Sequence, residues 1–445
     1  EKFAFMPYHL VGHLNAMKIN SDTGDHIYGI DGPLSAWVDD VNKDGKITAS
    51  DDHVYLYFGL RRGGKHLYAL DVTDPDSPKL KWRIDAGATH FEHLGQSWSR
   101  MTLLNLDDGG TSRKVIAFTG GYDTSEDTVN TVRSANAEGL GVYLVDAASG
   151  AFIASIGPDA SDYTVNASQM IYSIPSGLRA IDANGNHIAD RFYFGDMGGQ
   201  LWRIDIAEGE DLTDAATYTV TRLADLGGST PATHRRFYYP PAVARLTRAD
   251  DSKVLAIAIG SGYRAHPLNR TISDRLYTLY DPNAGVGAPS SWTTLTESDL
   301  YDASANLVAE GGDTDAQLAL LAGKKGWRIA LSANGEKSLS EARIIAGSVY
   351  FTTFEPSLAS CGASGVNRLY TLKLLDATPA VDLDGDGTLL KADRTLTLGQ
   401  GGIAPEFKRI FLPCSGEGCT QDCVGTECRD GPPRILRSLF WREER

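Results

Sequence analysis

The sequence Phe192-Tyr-Phe-Gly195-Asp-Met-Gly-Gly-Gln-Leu201-Trp-Arg-Ile-Asp205 contains two short apolar runs around a polar turn. Aromatic and β-branched residues in runs of this length are typical of strands. The Gly-rich residues between the runs predict a tight connection. We therefore predict an antiparallel pair of strands, the first ending in Gly and the second ending in Asp.

The same pattern, a β run ending in Gly and then an aromatic strand ending in Asp, recurs along the chain at spacings of about 60–95 residues. The other copies are Val54-Tyr-Leu-Tyr-Phe-Gly59 with Leu67-Tyr-Ala-Leu-Asp71, Val115-Ile-Ala-Phe-Thr-Gly-Gly-Tyr122 with Val142-Tyr-Leu-Val-Asp146, Leu255-Ala-Ile-Ala-Ile-Gly-Ser-Gly-Tyr263 with Leu276-Tyr-Thr-Leu-Tyr-Asp281, and Val349-Tyr-Phe-Thr-Thr353 with Leu369-Tyr-Thr-Leu372. Several copies are preceded by a further predicted strand: Ser97-Trp-Ser, Tyr172-Ser-Ile-Pro-Ser, Tyr239-Pro-Pro-Ala-Val and Ser338-Leu-Ser-Glu-Ala.

A unit of three or four antiparallel strands cannot bury both of its faces alone, so neighbouring units must stack. Radial stacking of such sheets gives a β-propeller, which leaves only short, protected edges. The fold class is thus all-β, a modified β-propeller of six or seven blades with loop insertions and a Cys-rich C-terminal loop. A pair of β-sandwiches is the alternative, but it explains the repeat less well.

The whole chain, 1–445, is expected to be one propeller domain closed by strands near both termini. These terminal strands are assigned to residues 3–19 and to Ile435-Leu-Arg-Ser-Leu-Phe-Trp441. Insertions are expected at about 38–53, 286–322 and 376–430. Within the second insertion, the amphipathic residues 300–321 predict one or two short helices.

Three acidic loops place oxygen side chains at alternate positions, the spacing that wraps a hard cation. Calcium takes six to eight oxygen ligands at about 2.3–2.6 Å, and a twelve-residue loop supplies them from positions 1, 3, 5, 7 (a main-chain carbonyl), 9 and 12, with Gly at position 6. Two loops of twelve residues fit this scheme, and a nine-residue variant lies between them. The predicted ligands are Asp40, Asn42, Asp44, Lys46 (carbonyl) and Asp51; Asp382, Asp384, Asp386, Thr388 (carbonyl) and Asp393; and Asp182, Asn184, Asn186, Ile188 (carbonyl) and Asp190.

The alternative interpretation of these loops is ordinary, since Asp, Asn and Gly are also the common residues of solvated turns. By spacing alone, the two twelve-residue loops are the better calcium sites. Their closing Asp has a shorter reach than Glu, which predicts binding through one oxygen or through a water molecule.

Composition excludes some classes of function. The net charge of −15 argues against a nucleic-acid-binding surface. No apolar run has the length of a membrane span. The chain begins at Glu1 without a signal peptide, so it is expected to be a fragment or a processed product.

Four of the five cysteines, Cys414, Cys419, Cys423 and Cys428, share one Gly-rich segment, and Cys361 stands apart. The segment lacks the CxxC pairs of a zinc site, so disulfides formed in an oxidising compartment are favoured. The spacing leaves their pairing open.

The chain resembles the C-terminal domain of the PilY/PilC family, the type IV pilus tip-associated adhesins. The residues that carry the resemblance run in order along nearly the whole chain: the motif Gly-Lys-His-Leu-Tyr-Ala-Leu-Asp-Val-Thr-Asp-Pro from Gly64, Leu94-Gly-Gln-Ser-Trp98, Gly120-Gly-Tyr-Asp123, the stretch 181–202, Gly326-Trp327 with Gly335-Glu-Lys337, Tyr350-Phe-Thr-Thr-Phe-Glu-Pro356 and Trp441-Arg-Glu443. The stretch 181–202 is the most specific of them.

This resemblance implies a modified propeller with a calcium site in the loop 182–190, and it reverses the ranking made by spacing. The loops at Asp40 and Asp382 then become structural calcium sites on insertions. The resemblance also implies an exported, non-enzymatic protein at the pilus tip, cell surface or outer membrane, with roles in pilus biogenesis, in opposing retraction and in adhesion. Its expected partners are minor pilins or other tip components and a receptor on a host cell or an abiotic surface.

Two other functions remain open at this point. Propellers with Gly- and Trp-rich repeats also hold the quinone of alcohol and sugar dehydrogenases, and such an enzyme needs calcium and a catalytic Asp beside the central channel. A carbohydrate-binding propeller is the other alternative, although Trp98, Trp202 and Trp327 fit the core of the blades better than sugar platforms.

Overall fold

The described residues of the computed structural model form six β-sheets. These are residues 2–19, 26–48, 50–129, 131–248, 250–285, 287–332, 334–357, 365–383, 385–411 and 420–431. Within each sheet, most hydrogen-bonded neighbours are consecutive strands of the chain, and the sheets follow one another in chain order.

The first three sheets contain thirteen strands, of which only β9 pairs in parallel. The first sheet is β1 (Leu34–Asp39), β2 (His53–Gly59), β3 (Leu67–Asp71) and β4 (Lys79–Ile84). The second is β5 (Thr102–Asp108), β6 (Thr111–Thr119), β7 (Val142–Asp146), β8 (Phe152–Gly157) and β9 (Val165–Asn166). The third is β10 (Arg179–Ile181), β11 (Arg191–Gly195), β12 (Gln200–Ile206) and β13 (Tyr218–Asp225).

The last three sheets contain the remaining strands. The fourth sheet is β14 (Ala242–Thr247), β15 (Lys253–Gly260), β16 (Arg275–Asp281), β17 (Tyr301–Asp302) and β18 (Gly326–Ala330), with β17 parallel to β18 at its edge. The fifth is β19 (Lys337–Ser338), β20 (Arg343–Ile345), β21 (Ser348–Glu355), β22 (Val366–Lys373) and β23 (Thr395–Leu398). The sixth is β24 (Phe407–Phe411), β25 (Thr420–Val424) and β26 (Glu427–Asp430).

The repeat predicted from sequence is confirmed in all five copies. Each copy forms an antiparallel pair of central strands, namely β2 with β3, β6 with β7, β11 with β12, β15 with β16 and β21 with β22. The Asp that ends the second strand has a local role in three copies, because Asp71, Asp146 and Asp281 each accept a main-chain hydrogen bond from the turn that follows.

The sheets are arranged radially. Short segments just before β1, β5, β10, β14 and β20 line one common cavity, so the innermost strands of five sheets begin at the same end of the molecule. Each sheet also packs against the next through a buried apolar cluster. This arrangement is the modified β-propeller that the sequence predicts.

The segment that leads into each of the later sheets is hydrogen-bonded to the sheet before it in the chain. These contacts are Ser97 N to Gly64 O, Gly121 N to Ile174 O, Phe237 N to Asp196 O, Ser338 N to Ser261 O and Thr352 Oγ1 to Pro405 O. The last contact ties β24–β26 to the fifth sheet in the same way. The three-stranded sheet therefore continues the series as its sixth member.

These contacts explain why the first strand of the repeat ends in Gly. A Cβ added at Gly59, Gly195 or Gly260 would lie 2.6 Å from the Ser97 carbonyl oxygen, 2.7 Å from the Phe237 Cβ and 2.4 Å from the Ser338 Cβ, respectively. Only glycine lets the next segment pass this close to the strand.

Gly59→Ala is expected to destabilise the protein by about 1–3 kcal/mol, the usual cost of overpacking a well-packed site. The added methyl group must push the entering segment away from the first sheet. Urea unfolding of the variant measures the effect. The matched control is Gly12→Ala, which has open space around the added Cβ, and equal stability of the two variants would contradict the explanation.

Helices are few and short. The insertion between β17 and β18 carries α2 (Leu307–Glu310) and α3 (Thr314–Ala322), which confirms the helices predicted there. None of the helices in the described part of the chain is long and apolar enough to cross a bilayer.

The terminal strand assigned to residues 3–19 is not present. Tyr8–His13 forms a 3₁₀ helix and α1 spans Leu14–Ile19. The sequence of α1, Leu-Asn-Ala-Met-Lys-Ile, is rich in helix-forming residues, and helix propensity outweighs the β interpretation there. The strand assigned to 435–441 lies outside the described residues.

The described part of the Cys-rich segment is a hairpin. Cys423 on β25 stands opposite Cys428 on β26, and the two form a disulfide. This supports the prediction of disulfides over zinc for that pair. Cys361, Cys414 and Cys419 lie outside the described residues.

Candidate functional site

The three acidic loops leave their sheets at the same end. The loop from Asp40 joins β1 to β2, and the loop from Asp182 joins β10 to β11, so both follow an innermost strand. The loop from Asp382 follows β22, which runs in the same direction as β20 because both are antiparallel to β21. All three loops therefore lie at the end of the propeller opposite to the cavity.

In the middle loop, Asp182 organises the backbone. Its carboxylate accepts hydrogen bonds from the main-chain N–H groups of Gly185 at 2.6 Å, Asn186 at 3.2 Å and His187 at 2.7 Å. The side-chain oxygens of Asn184 and Asn186 accept from Asn186 N at 3.0 Å and from Ile188 N at 2.9 Å. The alternate oxygens predicted from sequence thus all belong to one tightly wound loop.

Asp190 closes this loop and is 3% exposed. Its Oδ2 accepts a hydrogen bond from Ala183 N at 2.9 Å, whereas its Oδ1 is buried without a hydrogen-bond partner in the described structure. Burial raises the pKa of Asp190, and the nearby carboxylates of Asp182 and Glu208 raise it further. A buried carboxylate oxygen that lacks a donor is costly, and a cation would satisfy it.

Glu208 is a member of the site that sequence analysis missed. Its Oε1 accepts hydrogen bonds from Asn184 Nδ2 at 2.7 Å and from Asn186 Nδ2 at 2.8 Å. The pairing of β11 with β12 places the turn after β12 beside the loop. The sequence does show an acidic residue just beyond β12. Its place beside the loop, however, follows only from the register of β11 with β12.

In the first loop, the carboxylate that is buried against the loop backbone belongs to Asp52, the neighbour of the predicted ligand Asp51. Asp52 is 5% exposed, and its carboxylate accepts hydrogen bonds from Val41 N at 3.0 Å and Thr48 N at 2.9 Å. Asp51, at position 12 of the loop, is exposed. The carboxylate one position beyond the predicted ligand therefore occupies the buried position.

Within the first loop, the remaining predicted side chains cap the backbone. Asp40 accepts from Asp44 N and Gly45 N, Asn42 accepts from Asp44 N, and Asp44 accepts from Lys46 N. These contacts are those of a tight polar turn.

In the third loop, Asp393 is 2% exposed and accepts hydrogen bonds from Leu383 N at 2.9 Å and Leu390 N at 2.8 Å. Asp382 accepts from Gly385 N and Gly387 N, and Asp386 accepts from Thr388 N. Asp384 lies outside the described residues. Lys391 N donates to Glu310 Oε2, which ties this loop to the helical insertion.

No three His, Cys, Asp or Glu side chains of the described residues converge closely enough to hold a metal ion. A calcium site in these loops would therefore depend on amide and main-chain oxygens as much as on carboxylates. The middle loop offers two carboxylates, two amide oxygens and the Ile188 carbonyl, and it contains the orphaned Asp190 Oδ1. Its residues thus fit a hard cation, and such an ion would satisfy the unpartnered Asp190 Oδ1.

The three candidate tryptophans are buried. Trp98, Trp202 and Trp327 are 8%, 3% and 0% exposed. Trp98 also stacks on Tyr122 with ring centroids 4.7 Å apart. Their faces are occupied by the protein, as expected for core residues.

Comparison with known proteins identifies the family. The sequence model of the PilY1 β-propeller domain matches residues 8–308. The chain is 25% identical to the type IV pilus biogenesis factor PilY1 of Pseudomonas aeruginosa strain UCBPP-PA14 over an alignment of 483 residues, which covers 94% of this chain and 39% of that protein. It is also 25% identical over 403 residues to a PilY1 homolog of Xylella fastidiosa strain Temecula1, covering 84% of this chain and 24% of that protein. The chain thus spans well under half the length of these relatives.

A solved structure shows the same fold. The crystal structure of the Pseudomonas aeruginosa PilY1 C-terminal domain superposes with a TM-score of 0.65 at 19% identity, covering 97% of this chain and 89% of that one. The match of the family model extends over more than half of the chain and includes the first three sheets and the middle acidic loop. This chain therefore belongs to the PilY1 β-propeller domain family.

Proposed function

We propose that this domain is the calcium-binding, non-enzymatic propeller of a type IV pilus tip protein that acts in pilus biogenesis, opposes retraction and attaches to surfaces or host cells. Family membership supports the pilus role, because the relatives are named as pilus biogenesis factors. The proposed partners are minor pilins or other tip components and a surface receptor.

The observation that carries the calcium proposal is the buried, unpartnered Oδ1 of Asp190. In the proposed site Asp182, Asn184, Asn186, Asp190 and the Ile188 carbonyl hold the ion, and Glu208 lies within hydrogen-bonding distance of both Asn side chains. Bound calcium would supply positive charge that offsets the mutual repulsion of these carboxylates.

The loop is well placed to order a binding surface. It connects β10 to β11, and its hydrogen bonds reach the second sheet, since Ala189 N donates to Asn105 O at 2.9 Å and Asn105 Nδ2 donates to His187 O at 3.3 Å. Fixing the loop therefore fixes the junction of two sheets at the acidic face of the propeller.

Removing calcium is expected to lower the melting temperature. A ligand that binds only the folded state stabilises it by about 2.7 kcal/mol at a hundredfold excess over Kd. Unfolding entropy is about 2.1 cal/mol/K per residue, or roughly 1 kcal/mol/K for 445 residues, so the expected shift is about 3 °C. Thermal unfolding in calcium and in EDTA measures the shift, and metal analysis after gel filtration in trace calcium measures the number of ions bound.

Asp190→Ala should reproduce at the middle loop what EDTA does to the protein, and should make most of the calcium response disappear. The matched control is Asp250→Ala, because Asp250 also caps a turn, through Ser252, but lies outside the three loops. An unchanged calcium response in Asp190→Ala would move the site elsewhere, and a calcium response lost in the Asp52→Ala variant alone would place it in the first loop.

The biological proposal is tested in the full-length protein. Cells that carry Asp190→Ala are compared with cells that carry Asp250→Ala by counting surface pili, with and without retraction, and by measuring attachment. Loss of pili that is restored when retraction is disabled supports a role in opposing retraction. Normal pili and normal attachment, in a variant shown to bind no calcium, would refute the calcium mechanism.

No observation favours the dehydrogenase. Among the described residues, the acidic side chains at the cavity are Asp31 and Glu341, both of which lie near arginines, while the acidic loops lie at the opposite end. Reduction of a dye acceptor with turnover, after addition of the quinone and an alcohol, would contradict the non-enzymatic proposal.

A further inference from the structure

The cavity at the start of the innermost strands has a volume of about 500 Å³. This is within the range of about 300–1,000 Å³ that is typical of small-molecule sites. It lies at the opposite end of the propeller from the acidic loops, so the inference drawn from it is independent of the proposed calcium site.

The charges that line the cavity are mostly positive, although the chain carries a net charge of −15. Its charged lining residues are Arg61, Arg100, Arg179, Arg343, Asp31 and Glu341. The four guanidinium groups come from the first, second, third and fifth sheets, so the radial packing of the propeller brings them together. The four arginines outnumber these two carboxylates and Glu406, which lies outside the lining at 3.7 Å from Arg343, so the concave wall carries an excess of positive charge.

The ion pairs between the two carboxylates and these arginines are long. Glu341 lies 3.6 Å from Arg179 and 3.3 Å from Arg343, and Asp31 lies 3.7 Å from Arg61. These distances are longer than those of charge-assisted hydrogen bonds, about 2.7–2.9 Å. Arg100 is exposed and makes no ion pair or side-chain hydrogen bond with the described residues. Arg179 Nε donates to the Pro241 carbonyl at 3.0 Å, and much of the remaining hydrogen-bonding capacity of the cluster is unused.

The electrostatic environment agrees with this description. Burial lowers the pKa of Arg179, and Arg343 and Arg100 lower it further against the opposing effect of Glu341. Burial likewise lowers the pKa of Arg61, with Arg264 adding to the effect. An anion in the cavity would relieve this repulsion.

Arg61, which lines the cavity, has an uncommon backbone conformation. Its φ is 51°, in the left-handed region that non-glycine residues rarely adopt. Its N–H donates to the Ser97 carbonyl at 3.1 Å, and its guanidinium lies 4.6 Å over the Trp98 ring. Strained residues fixed by their surroundings are concentrated at functional sites.

We propose that this cavity binds a small organic carboxylate. The planar fork of arginine matches a carboxylate with two parallel hydrogen bonds. Between the arginines, the wall is apolar, formed by Pro33, Pro175 and Pro240 together with the rings of Tyr238 and Tyr239. Such a wall suits the carbon skeleton of a sugar acid or a similar organic acid rather than a bare inorganic ion.

The test is isothermal titration of the whole domain at low salt with citrate and with digalacturonate. Neutral digalactose and inorganic phosphate serve as comparison ligands. The variant is Arg100→Gln, which removes a guanidinium that has no partner in the described structure and so should leave folding intact. The control is Arg83→Gln on β4, the strand at the outer edge of the first sheet.

At least one carboxylate should bind the wild-type domain, and Arg100→Gln should weaken it by roughly tenfold or more, the value of one charge-assisted hydrogen bond. Arg83→Gln should bind as the wild type does, and digalactose should not bind. Four results would overturn the proposal: no binding of either carboxylate, binding of phosphate alone, equal binding of digalactose and digalacturonate, or equal weakening in the two variants.

Discussion

Replacing Asp205 by alanine is expected to lower the free energy of unfolding by about 3–5 kcal/mol, because it leaves two buried guanidinium groups without their shared partner. Asp205 is 3% exposed. Its Oδ1 lies 2.7 Å from Arg191 Nε, and its Oδ2 lies 2.7 Å from Arg203 Nε. Both arginines are fully buried, and Arg203 is also paired with Asp281 at 2.7 Å.

The destabilisation caused by Asp205→Ala should extend beyond the third sheet. Arg191 donates to the carbonyls of Asn283 and Gly285 at 2.7 Å and of Gly287 at 3.0 Å, which fixes the chain where it leaves the fourth sheet. Without Asp205, Arg191 loses its carboxylate partner, and Arg203 keeps only its pair with Asp281. The variant should therefore also become more sensitive to proteolysis in the segment after Asp281.

Urea unfolding and limited proteolysis of Asp205→Ala measure these effects. The control is Lys2→Ala, which removes the exposed pair of Lys2 with Asp76 and should change stability by at most about 1 kcal/mol. If Asp205→Ala unfolds at the same urea concentration as Lys2→Ala, the buried network contributes nothing measurable.

Trp327→Ala is expected to cost about 3–5 kcal/mol, the usual penalty for truncating a large core side chain. Trp327 is 0% exposed within the cluster that joins the fourth and fifth sheets, and its indole N–H donates to the Leu374 carbonyl at 2.9 Å. Truncation therefore opens a cavity between two sheets and also removes the shorter of the two hydrogen bonds to the Leu374 carbonyl, which then keeps only the 3.3 Å bond from the Tyr280 hydroxyl. Trp327→Phe should lose less, because the ring still fills most of the space.

Thermal unfolding of both variants, beside Tyr8→Ala at a side chain that is 89% exposed, provides the comparison. Tyr8→Ala should lie within about 0.5 kcal/mol of the wild type. A stable Trp327→Ala would mean that the indole does not serve the core, and it would reopen its interpretation as a surface for sugars.

The pattern of the fold could be predicted from sequence because it depends on local chemistry repeated many times. Four of the five central pairs combine apolar strands with a Gly and an Asp, and contacts in the structure explain both residue types. Gly59 has no Cβ that would clash with the Ser97 carbonyl, and Asp71 accepts a hydrogen bond from the turn after its strand. Because five copies share the pattern, the prediction of paired strands does not depend on any single motif.

The details of the sites were harder to predict, because they depend on contacts between distant residues. Spacing cannot tell Asp51 from Asp52, since the choice rests on which carboxylate reaches the N–H groups of Val41 and Thr48. Glu208 joins the middle loop only through the register of β11 with β12. The arginines of the cavity belong to four sheets, and no sequence window contains them together.

The hydrogen bonds between consecutive sheets have a consequence for how the chain folds. Strands that are adjacent in each sheet are mostly adjacent in sequence, so loop closure is short and folding of single sheets is fast. Each entering segment binds to a sheet that lies earlier in the chain. In a polypeptide synthesised from its N-terminus, each entering segment thus finds its hydrogen-bonding partners in a part of the chain that has already been made.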